Sequence, residues 1–98
     1  MIDLTDAFVE LIRRAATQLP ADMQRALREA KTREDPGSAA EGALDTILQN
    51  VELARANSTP ICQDTGTPIF DVYYPVGVST CRLADQIRAA CAIATERA

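Results

Sequence analysis

Residues 38–57 run SAAEGALDTILQNVELARAN. Ser38 and Glu41 stand at the spacing in which a hydroxyl and a carboxylate satisfy the free amides of a helix start. Ala40, Leu44, Ile47, Leu48, Val51 and Ala54 then fall on one helical face, and the pattern predicts a helix that ends near Asn57. Upstream, Phe8, Leu11, Ile12, Ala15 and Leu19 recur at the same period, with Asp3 or Thr5 placed as N-cap. Pro20 ends that helix and suits the first turn of the next, whose weaker stripe is Met23, Ala26, Leu27 and Ala30. A polar turn, Arg33-Glu34-Asp35-Pro36-Gly37, separates it from Ser38. Downstream, Phe70, Val72, Tyr74 and Val76 alternate with Ile69, Asp71 and Tyr73, which is the period of a strand; Pro75 and Gly77 make its end ragged. Ser79 or Thr80 then caps a last helix carrying Leu83, Ile87, Ala90, Cys91 and Ala94. The expected class is α-rich α+β, with about four helices and one or two short strands.

Composition sets bounds on what such a chain does. The 98 residues suffice for one small domain, and at 47% hydrophobic and 24% charged the chain has an ordinary soluble composition. Aromatic residues make up only 4%, without a Trp, so the core must be aliphatic and weak per residue. That points to a segment built to pack against something larger. Ala98 falls on the last helix without a C-cap glycine or polar tail, so the natural chain is expected to continue beyond residues 1–98. A net charge of -4 and a pI near 4.6 argue against a nucleic-acid surface, as do Lys and Arg scattered over helical faces. No apolar run is long enough for a bilayer, and the acidic start does not resemble a secretion signal, so the expected location is cytoplasmic.

The chemistry concentrates in the loop at 58–68, around Pro60-Ile61-Cys62-Gln63-Asp64-Thr65-Gly66-Thr67. A thiol, an amide, a carboxylate and hydroxyls crowd together there between two patterned regions, a mixture that a core does not accommodate without partners. Loops held by rigid flanks are where binding and catalytic groups collect. Cys62 on composition alone is either a small packed hydrophobe or a functional thiol. Asp64 before Thr-Gly also fits a turn, and Gly66 fits a backbone conformation closed to other residues. The chain has no His, which removes the usual general base and imidazole ligand. Its three cysteines, Cys62, Cys81 and Cys91, follow neither a disulfide framework nor a C-x-x-C pattern.

Asn50, Ala54 and the run from Pro60 to Gly66 resemble the N-terminal part of the class I, iron–sulfur fumarate hydratases and L-tartrate dehydratases. Pro75-x-Gly77 and the Leu83, Ile87, Ala90 and Ala94 stripe resemble the segment that follows in that family. The resemblance implies an α subunit, or α region, of a hydro-lyase that reversibly dehydrates a small hydroxy-dicarboxylate. It implies an oxygen-sensitive [4Fe–4S] cluster held by three cysteines, with Cys62 as one metal ligand. It implies Gln63, Asp64 and, more weakly, Thr65 as substrate-binding residues, with Asp64 also a catalytic group that assists proton movement. The remaining cluster ligands and substrate-binding residues of the family lie in segments this chain lacks, so the isolated chain is expected to be inactive. The implied partners are the dicarboxylate, the remainder of the α region and a β subunit or domain, in a dimer of the complete enzyme; the start at Met1 favours the separate-subunit form. Cys91 shares a helix face with Leu83 and Ile87, as a packed thiol does, and Cys81 near a helix start is read as incidental. The alternative of another class is a non-catalytic helical docking domain that keeps the loop without the cluster. A thiol redox sensor at Cys62, which lacks a nearby resolving cysteine, ranks last.

Overall fold

The computed structural model of the chain describes residues 2–63 and 67–97. It contains α1 (Thr5–Thr17), α2 (Ala21–Arg33), α3 (Ala39–Asn57) and α4 (Thr80–Arg97). The helix ends form where the sequence supplies the chemistry. Ser38 accepts the Glu41 amide at 3.2 Å, and the Glu41 carboxylate accepts the Gly37 amide at 3.2 Å, one residue earlier than a strict capping box. Gly37 reaches φ +79 in that turn, a region costly for a residue with a Cβ. Ser79 accepts the Arg82 amide at 3.3 Å and so caps α4. At α1 the cap position is Leu4, without a side-chain cap; Asp3 instead accepts the Thr5 amide at 2.9 Å and the Thr5 hydroxyl at 2.6 Å. Pro20 stands immediately before α2.

The helices pack as two pairs. α1 lies against α4 and α2 against α3, while α1 and α3 touch over a small area. The buried apolar side chains among the described residues are Val9, Val51, Ala54, Leu83 and Ala90. The α4 stripe faces inward as its spacing predicts, with Leu83 and Ala90 buried and Ile87, Cys91 and Ala94 half-buried. α1 is turned from the expected face: Leu11 is 53% exposed and Ala15 is exposed, whereas Val9 and Thr17 are buried. Val9, Ile12 and Ala16 form a second set at helical spacing, and this set is buried or half-buried where Leu11 and Ala15 are exposed. The buried Thr17 hydroxyl is satisfied by the Arg13 carbonyl at 2.7 Å. α2 buries no residue, and its tie to α3 includes the Lys31–Asp45 ion pair at 2.7 Å.

One expectation is overturned. The class is all-helical among the described residues and not α+β, because the alternating run from Ile69 to Val76 forms no strand and ends in a turn at Val76 and Gly77. Period-two alternation marks a chain that could line a sheet; a strand also needs a neighbour for its amides and carbonyls. Pro68 and Pro75 carry no amide to offer one. Phe70 docks on α1 through an edge-to-face contact with Phe8, centroids 6.2 Å apart, while Tyr73 and Val76 stand almost wholly in solvent.

The radius of gyration is 17.6 Å over extents of 57 × 28 × 20 Å, against about 13 Å for a compact domain of 100 residues. Exposed Met23, Ile47, Leu53 and Ile69 add to the apolar surface left uncovered. Among the described residues no helix is long and apolar enough to cross a membrane. The isolated 98 residues should therefore unfold over a broad temperature range when followed by circular dichroism. A sharp, high-temperature cooperative transition would show that the two helix pairs form one self-sufficient core.

Candidate functional site

The loop that carries Cys62 leaves α3 through a left-handed residue. Ser58 adopts φ 51 and ψ 45, and the Thr59 amide reaches back to the Ala54 carbonyl at 3.0 Å, the six-to-one bond of a left-handed helix ending. A serine in that region carries a backbone cost that glycine would not. The Ser58 hydroxyl accepts from Arg13 Nη1 at 3.2 Å, and Arg13 is itself braced by Glu10 at 2.6 and 2.8 Å. α1 thus reaches across to hold the end of α3.

Two residues later both polar groups of Ile61 are engaged, by different helices. Its amide donates to the Ala16 carbonyl on α1 at 2.9 Å, and its carbonyl accepts from Asn50 Nδ2 on α3 at 2.9 Å. Ile61 is half-buried in this position. Cys62 and Gln63 follow at the surface, both exposed, so the loop presents a thiol and an amide outward from a tethered base. Asp64, Thr65 and Gly66 lie outside the described residues.

The other thiols stand elsewhere: Cys81 is exposed in the first turn of α4, and Cys91 is half-buried further along the same helix. Among the described residues no three or more His, Cys, Asp or Glu side chains come together in a group able to hold a metal ion. Cys62 fits the role of a single thiolate donor, exposed and anchored through its neighbour; Cys81 and Cys91 are not grouped with it into a complete set.

Asn50 is named in the sequence on resemblance, and the structure gives it a contact. Arg13 also contacts the loop base. The Glu10, Arg13 and Arg14 spacing signals ion pairs along one helix, but nothing local marks the reach of Arg13 to Ser58 across 45 positions.

Residues 5–98 match the family model described as fumarate hydratase (fumerase). A Geobacillus stearothermophilus protein provisionally named fumarate hydratase class I is 41% identical over 96 residues, covering 98% of this chain and 19% of that protein. A Methanocaldococcus jannaschii protein provisionally named L(+)-tartrate dehydratase subunit alpha is 39% identical over 74 residues, covering 76% of this chain and 25% of that subunit. The chain belongs to this family of class I fumarate hydratases and L-tartrate dehydratases. It spans about a fifth to a quarter of the length of the curated relatives it matches.

Electrostatics at the loop base yields a pH test. Hydrogen bonds from Arg13 and then Arg14 pull the Glu10 carboxyl from its ordinary 4.5 to about 2. A depressed carboxylate contributes stability that is fully present above the unfolded value of 4.5 and is lost as pH falls toward the folded value of about 2. Glu10 is solvent-exposed, so the effect is small. Glu10→Gln should lower helicity by circular dichroism slightly above that window, and the difference from wild type should vanish at its acid end. Equal helicity throughout would show that the bracing of Arg13 adds nothing.

Proposed function

We propose that the complete protein is an iron–sulfur hydro-lyase that reversibly removes water from a small hydroxy-dicarboxylate of the malate or tartrate kind. The observation that carries this reading is the family match over residues 5–98, which includes the loop that displays Cys62. Cys62 would hold one corner of a [4Fe–4S] cluster, and the other thiolates would come from sequence outside this chain. When bound, such a cluster with one open iron supplies Lewis-acid activation of the substrate hydroxyl.

The chain's own residues divide the remaining work. Gln63, exposed beside Cys62, offers an amide N–H to a substrate carboxylate and a carbonyl to its hydroxyl. Asp64 is the group assigned to proton movement or to orienting its partner, and Thr65 adds a hydroxyl contact. The tether of Ile61 to α1 and α3 limits how far the start of the Cys62–Gln63 segment can drift from the helices. The apolar surface left open by the two helix pairs is covered, in this reading, by the remainder of the α region and a β subunit or domain, in a cytoplasmic dimer.

The experiment is Cys62→Ser in the complete protein, purified without oxygen. Changes outside a metal's ligand set already cost about 10- to 100-fold, so removing a ligand should lower iron and sulfide content and hydratase or dehydratase activity by at least about 100-fold. A variant that retains its iron and its activity would retire Cys62 as a ligand. It would leave the helices as a docking domain whose exposed apolar residues serve a partner protein.

A further inference from the structure

We propose that Asn50 is a positioning residue for the Cys62 thiolate, acting through the carbonyl of Ile61. The inference rests on the assignment of Cys62 as a cluster ligand.

The Ile61 carbonyl belongs to the peptide unit that contains the nitrogen of Cys62, and that unit is planar from the Ile61 Cα to the Cys62 Cα. The 2.9 Å bond from Asn50 Nδ2 to this carbonyl therefore restrains the plane on which the Cys62 Cα lies. The preceding peptide unit is restrained in turn, because its N–H donates to the Ala16 carbonyl at 2.9 Å. With both flanking planes restrained, the range of the Ile61 backbone angles narrows, and with it the range of positions open to the Cys62 Cα. The anchors come from two helices that otherwise touch little, so the position of Cys62 is defined against α1 and α3 together.

Among side chains of this size only an amide suits the task fully. A carboxylate in the place of Asn50 offers no donor and would set one acceptor against another. Alanine would leave the Ile61 carbonyl to water and the Ile61–Cys62 peptide free to rotate. Asn50 is exposed, and its bond to the Ile61 carbonyl gives it a route to Cys62 through the backbone. Partners one step removed from a metal govern ligand orientation and retention in this manner.

The test uses the complete protein, purified without oxygen, as wild type, Asn50→Asp, Asn50→Ala, Asn50→Gln and the reference Cys62→Ser. Iron and sulfide are counted, iron release to bathophenanthroline is timed, and the reduced cluster is examined by electron paramagnetic resonance. Melting temperature serves as the control for fold. The Asp and Ala variants should release iron about 10- to 100-fold faster than wild type and show a shifted or broadened resonance at a melting temperature close to wild type. A merely structural role would lower the melting temperature and leave the resonance unchanged. Wild-type release and resonance in both variants, with the cluster lost in Cys62→Ser, would overturn the proposal while leaving Cys62 a ligand. A full cluster in Cys62→Ser would instead remove the assignment on which it rests. Should the Asp and Ala variants fail to fold, Asn50→Gln decides, since it keeps the amide on a stem one methylene longer. It should hold iron with an altered resonance, and a wild-type resonance and release rate there would overturn the proposal.

Discussion

Two hydrogen bonds at Ile61 connect the parts of this molecule that packing alone leaves loosely joined. The amide is held by α1 and the carbonyl by α3, each at 2.9 Å, in a chain whose helices otherwise associate as α1 with α4 and α2 with α3. Single hydrogen bonds contribute about 0.5–1.5 kcal/mol net, so their value here is geometric more than energetic. They convert a polar loop that could wander into a fixed ledge. Arg13 reinforces it one turn away by holding the left-handed Ser58 where α3 ends.

The rest of the molecule is consistent with a part shaped for a larger whole. A radius of gyration of 17.6 Å, few buried aliphatic side chains among the described residues, and exposed Ile69, Tyr73 and Val76 leave much apolar surface in water. Burial of that surface would contribute roughly 25 cal/mol for each Å² removed from water, which a small all-aliphatic core cannot match alone. The family match covers nearly all of this chain but only about a fifth to a quarter of its curated relatives.

The helices were legible because their signals are local. Ser38 with Glu41 and Ser79 before Arg82 announce helix starts within a single turn, and the structure forms the bonds they imply. The orientation of α1 was not legible, because two overlapping sets at helical spacing compete and nothing local decides between them. The strand at Ile69–Val76 failed for a related reason: alternation describes one chain, and a strand is a property of two. At the site, the polar company of Cys62 singled out the loop as a candidate. Its anchoring was hidden, since the Ala16 carbonyl carries no side-chain signature and the Arg13–Ser58 contact spans 45 positions. Asn50 emerged only through family likeness, eleven residues before the carbonyl it holds.

The most direct measurement of the tether is amide hydrogen exchange at Ile61 in the complete protein. Its N–H, bonded to Ala16, should exchange about fivefold or more slowly than the amides of the exposed run at Ile69 and Tyr73, as expected for a hydrogen bond worth about 1 kcal/mol. Asn50→Ala should leave most of the Ile69 and Tyr73 rates unchanged and speed Ile61. Exchange at Ile61 as fast as in the exposed run would mean that the loop is not fixed to α1, and the account of how Cys62 is held would fail.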